Sequence, residues 1–491
     1  MNFEYNRYLR NYPGYILRAL ARQTAEGRQD IFFAGGPVRD WLLSKEPFDL
    51  DITLAGDPRL WANGLARRLQ AVLVPLSETE GVYRVVKDGL WLDISTFRND
   101  TKSIEEDLKQ RDFSINAMAL RFDYQTQNIA GPLIDPLQGL ADLERGIVRH
   151  LGSDTFQADP LRLLRAFRFA AGLDFKLAAE TIELTGREAP LLNRAAPERI
   201  SLEIEKIMVA KLSGRTIEDM AACGLLWQIF PELLSGVGMR QPASHHLDVF
   251  GHSLEALKQM EMIIAAPEIF FTSFLNDIKA YLDRERIIIR LKLAALLHDI
   301  GKPPAFVLRD GRFTFYNHDQ MGARIIEKIG RRLRWSSEDR RCVALLIKEH
   351  MRPFHLNNAR HKTGISRRAC LKLIKAVGPE LIGLFLLTMA DSLAGQGVGK
   401  PSGMEADLAS LFTEIETVNQ QIIQPVLSGP PLIDGYDLIR LGMKPGPFFG
   451  RLFQALEVEM VKNPAMSKAE ARQWAAAYFN QRHHGKNVSA S

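Results

Sequence analysis

Two aspartates two residues apart, Asp49 and Asp51 in PFDLDITL, are the first residues in the chain whose type and spacing suggest a reaction. On an extended strand, positions i and i+2 face the same way, so both carboxylates project from one side of a sheet. Neighbouring carboxylates hold hard divalent cations such as Mg²⁺, as in-line phosphoryl or nucleotidyl transfer requires. Alone, such a pair is more often a solvated strand or turn acid. Thirteen residues upstream, Gly35 and Gly36 end the apolar run IFFAG and open a helix through PVRD. Two glycines let a backbone approach a triphosphate, and helix-start N–H groups with Arg39 supply positive potential. A tight strand-to-helix turn is the plainer alternative. Asp93 in WLDISTF ends another apolar strand, where it either completes a metal cradle or is an ordinary edge-strand acid.

A second set of chemically capable residues lies downstream. His298-Asp299 follows the apolar helix LKLAALL; His252 stands upstream in HLDVFGHSL, and His318, His350 and Asp391 follow in YNHDQMG, IKEHMRP and MADSLA. Imidazole with carboxylate suits a transition metal such as Mn²⁺, Ni²⁺ or Fe²⁺, or Mg²⁺ where oxygen ligands dominate. A lone histidine is more often a core or surface residue than a ligand. A His-Asp pair after an apolar helix, with partners in order, reverses that reading.

The elements that must hold these residues follow from the pattern around them. IFFAG, DLDITLA, AVLVPLS, YRVVKDGLWLDISTF and NAMALRF read as strands among helices, so an α/β head with a small mixed sheet is expected over residues 1–150. Helical periodicity then takes over, predicting an all-α neck over 151–235, a helical domain holding most histidines over 236–400 and a helical tail over 401–491. GQGVGKPSG reads as a flexible break between the last two.

At 491 residues, two to four domains are expected, and 46% hydrophobic with 25% charged residues excludes a wholly disordered chain. A net charge of +5 fits an anionic partner without pointing to one. Cys223, Cys342 and Cys370 have no CxxC spacing, which excludes a disulfide framework and a thiolate zinc site and suits a reducing cytosol. The start, MNFEYNRYLRNYPGY, has no apolar h-region, and LIGLFLLTMA stops at Asp391, too short to span a bilayer. A cytoplasmic protein with no membrane partner is expected; oligomeric state is not legible.

FAGGPVRDWLL…PFDLDITL, followed in order by EEDLKQRDFSINAMA, IDPLQGLADLERGIVR, ADPLRLLRAFRFA and ERISLEIEKIM, resembles the bacterial-type (class II) tRNA nucleotidyltransferase/poly(A) polymerase family over about residues 30 to 210. The resemblance implies Mg²⁺ on Asp49 and Asp51, incoming CTP or ATP near Gly36 and Arg39, and the 3′ end of tRNA as acceptor. It places Arg111 at the nucleotide phosphates and Asp112 by the ribose, although Asp112 and Asn116 also read as a turn and strand cap. Asp159 and Arg162, at i and i+3 and so neighbours on a helix face, match positions the family uses as an amino-acid template for the base. Arg165 and Arg168 continue toward the phosphates, or else form a basic face binding structural acids. The tail motif LIDGYDLIRLGMKPGPF recurs in family tails, where tRNA contact and a capping turn explain it equally.

Three departures bear on the product. Ala158 replaces the usual Glu, Gln110 replaces an Arg, and RNDTKSIEEDLKQR is short where many relatives have a longer flexible loop. In this family that loop is associated with switching from C to A addition. CCA addition is therefore the default, CC-only addition a strong second, and A or poly(A) addition less favoured. The histidine order resembles the HD phosphohydrolase superfamily and implies metal-assisted cleavage of 2′,3′-cyclic or 3′-phosphate ends, or a helical RNA-binding body that has kept its metal. A phosphohydrolase with a nucleotide-sensing N-terminal domain is the alternative from another class.

Overall fold

The computed structural model describes residues 5–47, 49–78, 81–309 and 312–484. The chain divides into two compact units, Met1–Ile229 and Phe230–Ser491.

The first unit is built on a seven-stranded sheet of β1 (Ile31–Ala34), β2 (Asp49–Leu54), β3 (Val72–Ser77), β4 (Val82–Lys87), β5 (Leu90–Thr96), β6 (Ala119–Asp123) and β7 (Asn128–Ile134), with a separate short parallel pair, Ile147–Val148 and Lys176–Leu177, reaching into the neck expected to be all-α. Their order is β3-β4-β5-β2-β1-β6-β7. Only β2 and β5 pair in parallel, so the sheet is mixed. Asp88 and Gly89 both take positive φ, 50° and 80°, the twist a two-residue β4–β5 hairpin needs. Alternation then separates two chemistries. Leu50, Ile52, Val85, Leu92 and Ile94 enter the core, while Asp49, Asp51, Arg84 and Asp93 stay half-buried on the opposite face.

Helix α1 (Gly36–Leu42) follows β1 directly, with Pro37 in its first turn. Its Trp41 is buried against Phe33, ring centroids 5.5 Å apart. Beyond the sheet, α2 (Arg162–Leu173) and α3 (Pro197–Val209) carry the neck. The structure corrects the helix-face reading of Asp159. That residue is extended (φ −145°, ψ 103°) between two helices, and its Oδ1 accepts from Leu161 N–H at 3.1 Å. Pro160, which has no N–H, accounts for the break.

In the second unit, α4 (Val249–Ala265), α5 (Ile287–Leu297) and α7 (Ser337–Glu349) pack on a central helix, and α6 (His318–Arg332) packs on α7. Helices α8 (Arg352–Thr363) and α9 (Arg367–Val377) lead to that central helix, α10 (Leu381–Ala394), which is buried along nearly its whole length. The LIGLFLLTMA stretch lies in this 14-residue helix, shorter than a bilayer needs. With α9 it makes a 28-residue helical run, Arg367–Ala394, long and apolar enough to cross a bilayer by length and composition, but the run turns at Gly378 (φ 55°) and its most apolar window is 72% buried in the unit.

Two further expectations change. A hairpin, Val307–Arg309 with Arg312–Thr314, interrupts a region read as wholly helical. GQGVGKPSG is no free break: Gly397 N–H donates to Ser244 C=O at 2.9 Å and Gly399 N–H to Ala243 C=O at 2.8 Å. Ile433, Leu438, Leu452, Leu456 and Ala471 give the tail its own small core.

Candidate active sites

In-register pairing lines up Asp51, Asp93 and Arg84 across β2, β5 and β4. Asp49 shares their face, and ligand oxygens of Asp49, Asp51 and Asp93 come within 4.8 Å of one another. Burial first, then Asp49 and Asp93, pushes Asp51 up to about 7; burial and then Asp93 raise Asp49. Asp93 is different. Arg84 Nε and Nη2 each donate to it at 2.7 Å, with the guanidinium 4.3 Å over the Trp91 ring. Among the described residues Asp49 and Asp51 have no ion-pair partner while Asp93 has Arg84, a donor set that fits divalent Mg²⁺.

Gly35 sits against this cluster with φ 83°. A Cβ there would lie 2.5 Å from Arg111 Nη1 and 3.6 Å from Asp51 Oδ2, so both conformation and space demand glycine. Arg111 is buried, with Nε on Asp107 and Nη2 on Thr53 Oγ1, each at 3.2 Å. Burial and then Arg98 bring it down to about 10. Arg39 Nη1 donates to Asn116 Oδ1 at 2.7 Å. Asp112 accepts from Phe113 N–H and Asn116 Nδ2 and pairs with Arg165 at 2.6 Å. Arg168 pairs with Glu203 at 2.8 Å. In this structure the stripe of arginines engages structural acids, and Asp112 with Asn116 forms a cap.

Asp159 and Arg162 meet electrostatically. Burial lowers the Arg162 pKa, while Asp112 and Asp159 favour its charged form. Arg199 on α3 holds Asp159 Oδ2 at 3.3 Å, and Arg162 donates to Gln110 C=O at 3.2 Å. Phe169 was not singled out in the sequence, where it reads as a core aromatic. It gathers Arg39, Arg165 and Arg168 around one ring, at 5.2, 5.7 and 4.2 Å.

The second unit brings all six singled-out histidines and aspartates together. His252 Nε2 lies 3.0 Å from Asp391 Oδ1, and His298 Nε2 lies 3.2 Å from Asp299 Oδ2. His318 Nε2 is 3.5 Å and His350 Nε2 3.9 Å from Asp299 Oδ1. His298, His318 and His350 each direct Nδ1 to a backbone carbonyl, at 2.9, 2.8 and 2.6 Å. Nδ1–H donation leaves each Nε2 lone pair facing inward, the arrangement of metal-ligating imidazoles. His318 and His350 Nε2 face each other at 3.3 Å, two acceptors that need a shared cation. His298 Nε2 and Asp299 Oδ1 have no hydrogen-bond partner among the described residues. Burial opposes its charged form, yet Asp299 and Asp391 push His298 up to about 10. Burial, His298 and His318 bring His350 down to about 4. The donor set fits divalent ions: ligand atoms of His252, His298 and Asp299 converge, as do those of Asp299, His318 and His350, with Asp391 beside His252, and these six residues would hold them.

His245 escaped the sequence reading although SHHLDVFGH places it seven residues before His252. Its ring lies 4.6 Å from that of His252, and a ligand atom reaches within 4.8 Å of those of His252 and Asp391. Lys302 also joins, with Nζ 2.5 Å from Asp299 Oδ2. A cavity of about 580 Å³ opens from the cluster, walled by His245, Lys302, Phe315, Phe354 and His355. A pocket of that size with apolar walls and a few polar groups suits a small ligand or a polymer end.

Residues 31–149 match the Poly A polymerase head domain, 174–236 the probable RNA and SrmB-binding site of polymerase A, and 249–394 the HD domain. An A-adding tRNA nucleotidyltransferase of Deinococcus radiodurans is 32% identical over 454 residues, covering 90% of this chain and 94% of that protein. A CC-adding tRNA nucleotidyltransferase of Thermus thermophilus is 30% identical, covering 90% and 92%. The fold is shared with a CCA-adding enzyme solved with ATP (TM-score 0.65, 23% identity, 95% of this chain and 94% of that one) and with the Thermotoga maritima CCA-adding enzyme complexed with tRNA (0.62, 21%, 94% and 95%). A nucleotidyltransferase head, a polymerase-type neck and an HD domain in that order, on a chain that aligns almost end to end with such enzymes, place it in the tRNA nucleotidyltransferase/poly(A) polymerase family.

Proposed function

We propose that this chain transfers CMP and AMP from CTP and ATP to the 3′ end of tRNA in the cytoplasm, without a nucleic-acid template. The observation that carries the reading is the Asp49, Asp51 and Asp93 cluster against the Gly35 turn. Asp49 and Asp51, with Asp93, would hold two Mg²⁺ ions, which when bound neutralise phosphate charge and favour ionisation of the primer 3′-hydroxyl. The backbone at Gly35 and Gly36 admits the triphosphate, and Arg39, Arg165 and Arg168 around Phe169 supply its counter-charge. Asp159 accepts from the exocyclic amine of cytosine or adenine while Arg162 donates to the adjacent ring nitrogen. Guanine and uracil present a carbonyl there and meet acceptor with acceptor. The division into head (1–150), neck (151–235), HD domain (236–400) and tail (401–491) assigns these tasks to the first two parts. Incubating tRNA that lacks its last three nucleotides with CTP, ATP or both, then sequencing the 3′ ends, tests this. No added nucleotide would refute it.

One observation favours a narrower product. The short segment is stapled: Arg98 and Arg111 bond Asp107, Ser103 Oγ accepts from Glu106 N–H at 3.3 Å, and Asn99 donates to Gln110 at 3.0 Å. On this narrower reading a stretch so held resists reshaping the base pocket for adenine, and CC ends would form from both nucleotides together. CCA ends would refute the narrower reading alone.

In the second unit, His252, His298, Asp299, His318, His350 and Asp391 would hold two divalent ions, which supply an activated water for phosphate-ester hydrolysis when bound. The substrates proposed are RNA 3′ ends carrying 2′,3′-cyclic or 3′-phosphate. Cyclic-phosphate hydrolysis lost on His298→Ala, with CMP incorporation intact, is the expected outcome.

A further inference from the structure

The near-neutral net charge hides a local imbalance. Residues 350–379 contain seven Lys and Arg, Arg352, Arg360, Lys362, Arg367, Arg368, Lys372 and Lys375, and not one Asp or Glu. These residues form α8 and α9 and the turn between them. Neighbouring elements neutralise part of this charge: Glu349 takes Arg352, Asp407 takes His361, Glu414 approaches Arg360, and Glu457 takes Lys375. Arg367 donates to the Lys462 carbonyl at 3.1 Å, and among the described residues no acid pairs with it. Lys362, Arg368 and Lys372 are exposed, and among the described residues no acid pairs with them.

Their placement is ordered. Arg368 and Lys372 stand at i and i+4 on the exposed side of α9, whose other side buries Cys370, Leu371, Leu373, Ile374 and Val377. Lys362 lies seven residues after His355 on α8, hence on the same face and about 10 Å along the axis. His355 is itself exposed and lines the cavity that opens from the histidine–aspartate cluster. Unpaired cations spread over two consecutive helices, the first of which reaches the cavity through His355, match a flexible chain of phosphates better than a compact ligand.

We infer that the exposed face of α8 and α9 is a docking track for the sugar–phosphate backbone of single-stranded RNA, with Lys372, Arg368 and Lys362 guiding its 3′ end past His355 into the HD cavity. The inference rests on the reading of that cavity as a phosphohydrolase site for RNA 3′ ends and adds the surface over which the RNA reaches it. An anionic membrane is the competing class of surface. That α8 also lines a cavity, through His355, favours RNA.

The test uses the full-length chain and an RNA of about twelve nucleotides ending in 2′,3′-cyclic phosphate, titrated by fluorescence anisotropy between about 50 and 200 mM salt. The triple variant Lys362→Ala, Arg368→Ala, Lys372→Ala is expected to bind about tenfold more weakly. Its log affinity–log salt slope should shrink by about 2, since each single-strand phosphate contact contributes about 0.7. Charge-retaining Lys362→Arg, Arg368→Lys, Lys372→Arg should restore affinity and slope. With the alanine variant, hydrolysis of the RNA end should fall about tenfold in kcat/KM, while a 2′,3′-cyclic mononucleotide is cleaved as by wild type. If wild type cleaves neither substrate, the phosphohydrolase reading fails and the binding titration alone decides the track. Unchanged affinity and slope in the alanine variant would overturn it, as would retention on phosphatidylserine vesicles that excess RNA does not displace.

Discussion

Asp51 has the most to gain from a bound cation. Its carboxyl is raised to about 7, so over the window from about 4 to 7 the unfolded chain releases a proton that the folded chain keeps. The metal-free protein should therefore lose stability as pH rises through that window, and Mg²⁺ should restore more of it at pH 8 than at pH 5. Thermal unfolding in chelator and in Mg²⁺ at both values checks this, and Asp51→Asn should flatten the difference. In the same register, Asp51→Ala should cut CMP incorporation by about a thousandfold, whereas His298→Ala should leave it near wild type. Asp49 and Asp51 were legible because strand alternation is a period of two. The Arg84–Asp93 pair was not, because it depends on which residue of β4 faces which residue of β5. His245 is not legible, because it lies seven residues before His252 on a loop whose course past the cluster no local pattern gives.

Short connecting elements decide how open each site is. Gly397 packs so closely on the strap from Ala243 to His245 that an added Cβ would strike the Ala243 carbonyl. Gly397→Ala should displace the strap that carries His245, lowering cyclic-phosphate hydrolysis about tenfold without changing CMP incorporation; parallel assays of one preparation decide. In the head, Ser103 caps Ile104–Lys109, so Ser103→Ala should cost about 1 kcal/mol by denaturant unfolding. Strand content and helix positions around β1, β2 and α1 could be read from residue types. The break at Asp159 needed Pro160 to be weighed against a strong helical period, and the pinning of GQGVGKPSG depends on a partner segment some 150 residues away, which no local pattern reveals.

At the scale of the whole chain, two compact units should unfold as two transitions in calorimetry. Mn²⁺ at low concentration should raise the transition of the histidine-bearing unit, and His298→Ala should remove that shift while sparing the other transition. The balance of +5 over 491 residues says little, because the cations that matter are concentrated in one thirty-residue stretch. Asp49, Asp51 and Asp93 all precede Ile229, and every histidine and aspartate of the other cluster follows Phe230. The metal-ligand sets are therefore encoded in separate stretches of the chain, so losing the histidine cluster by point substitution would leave every carboxylate of the first centre in place, whereas a cut at the junction itself would sever the 174–236 RNA-binding segment.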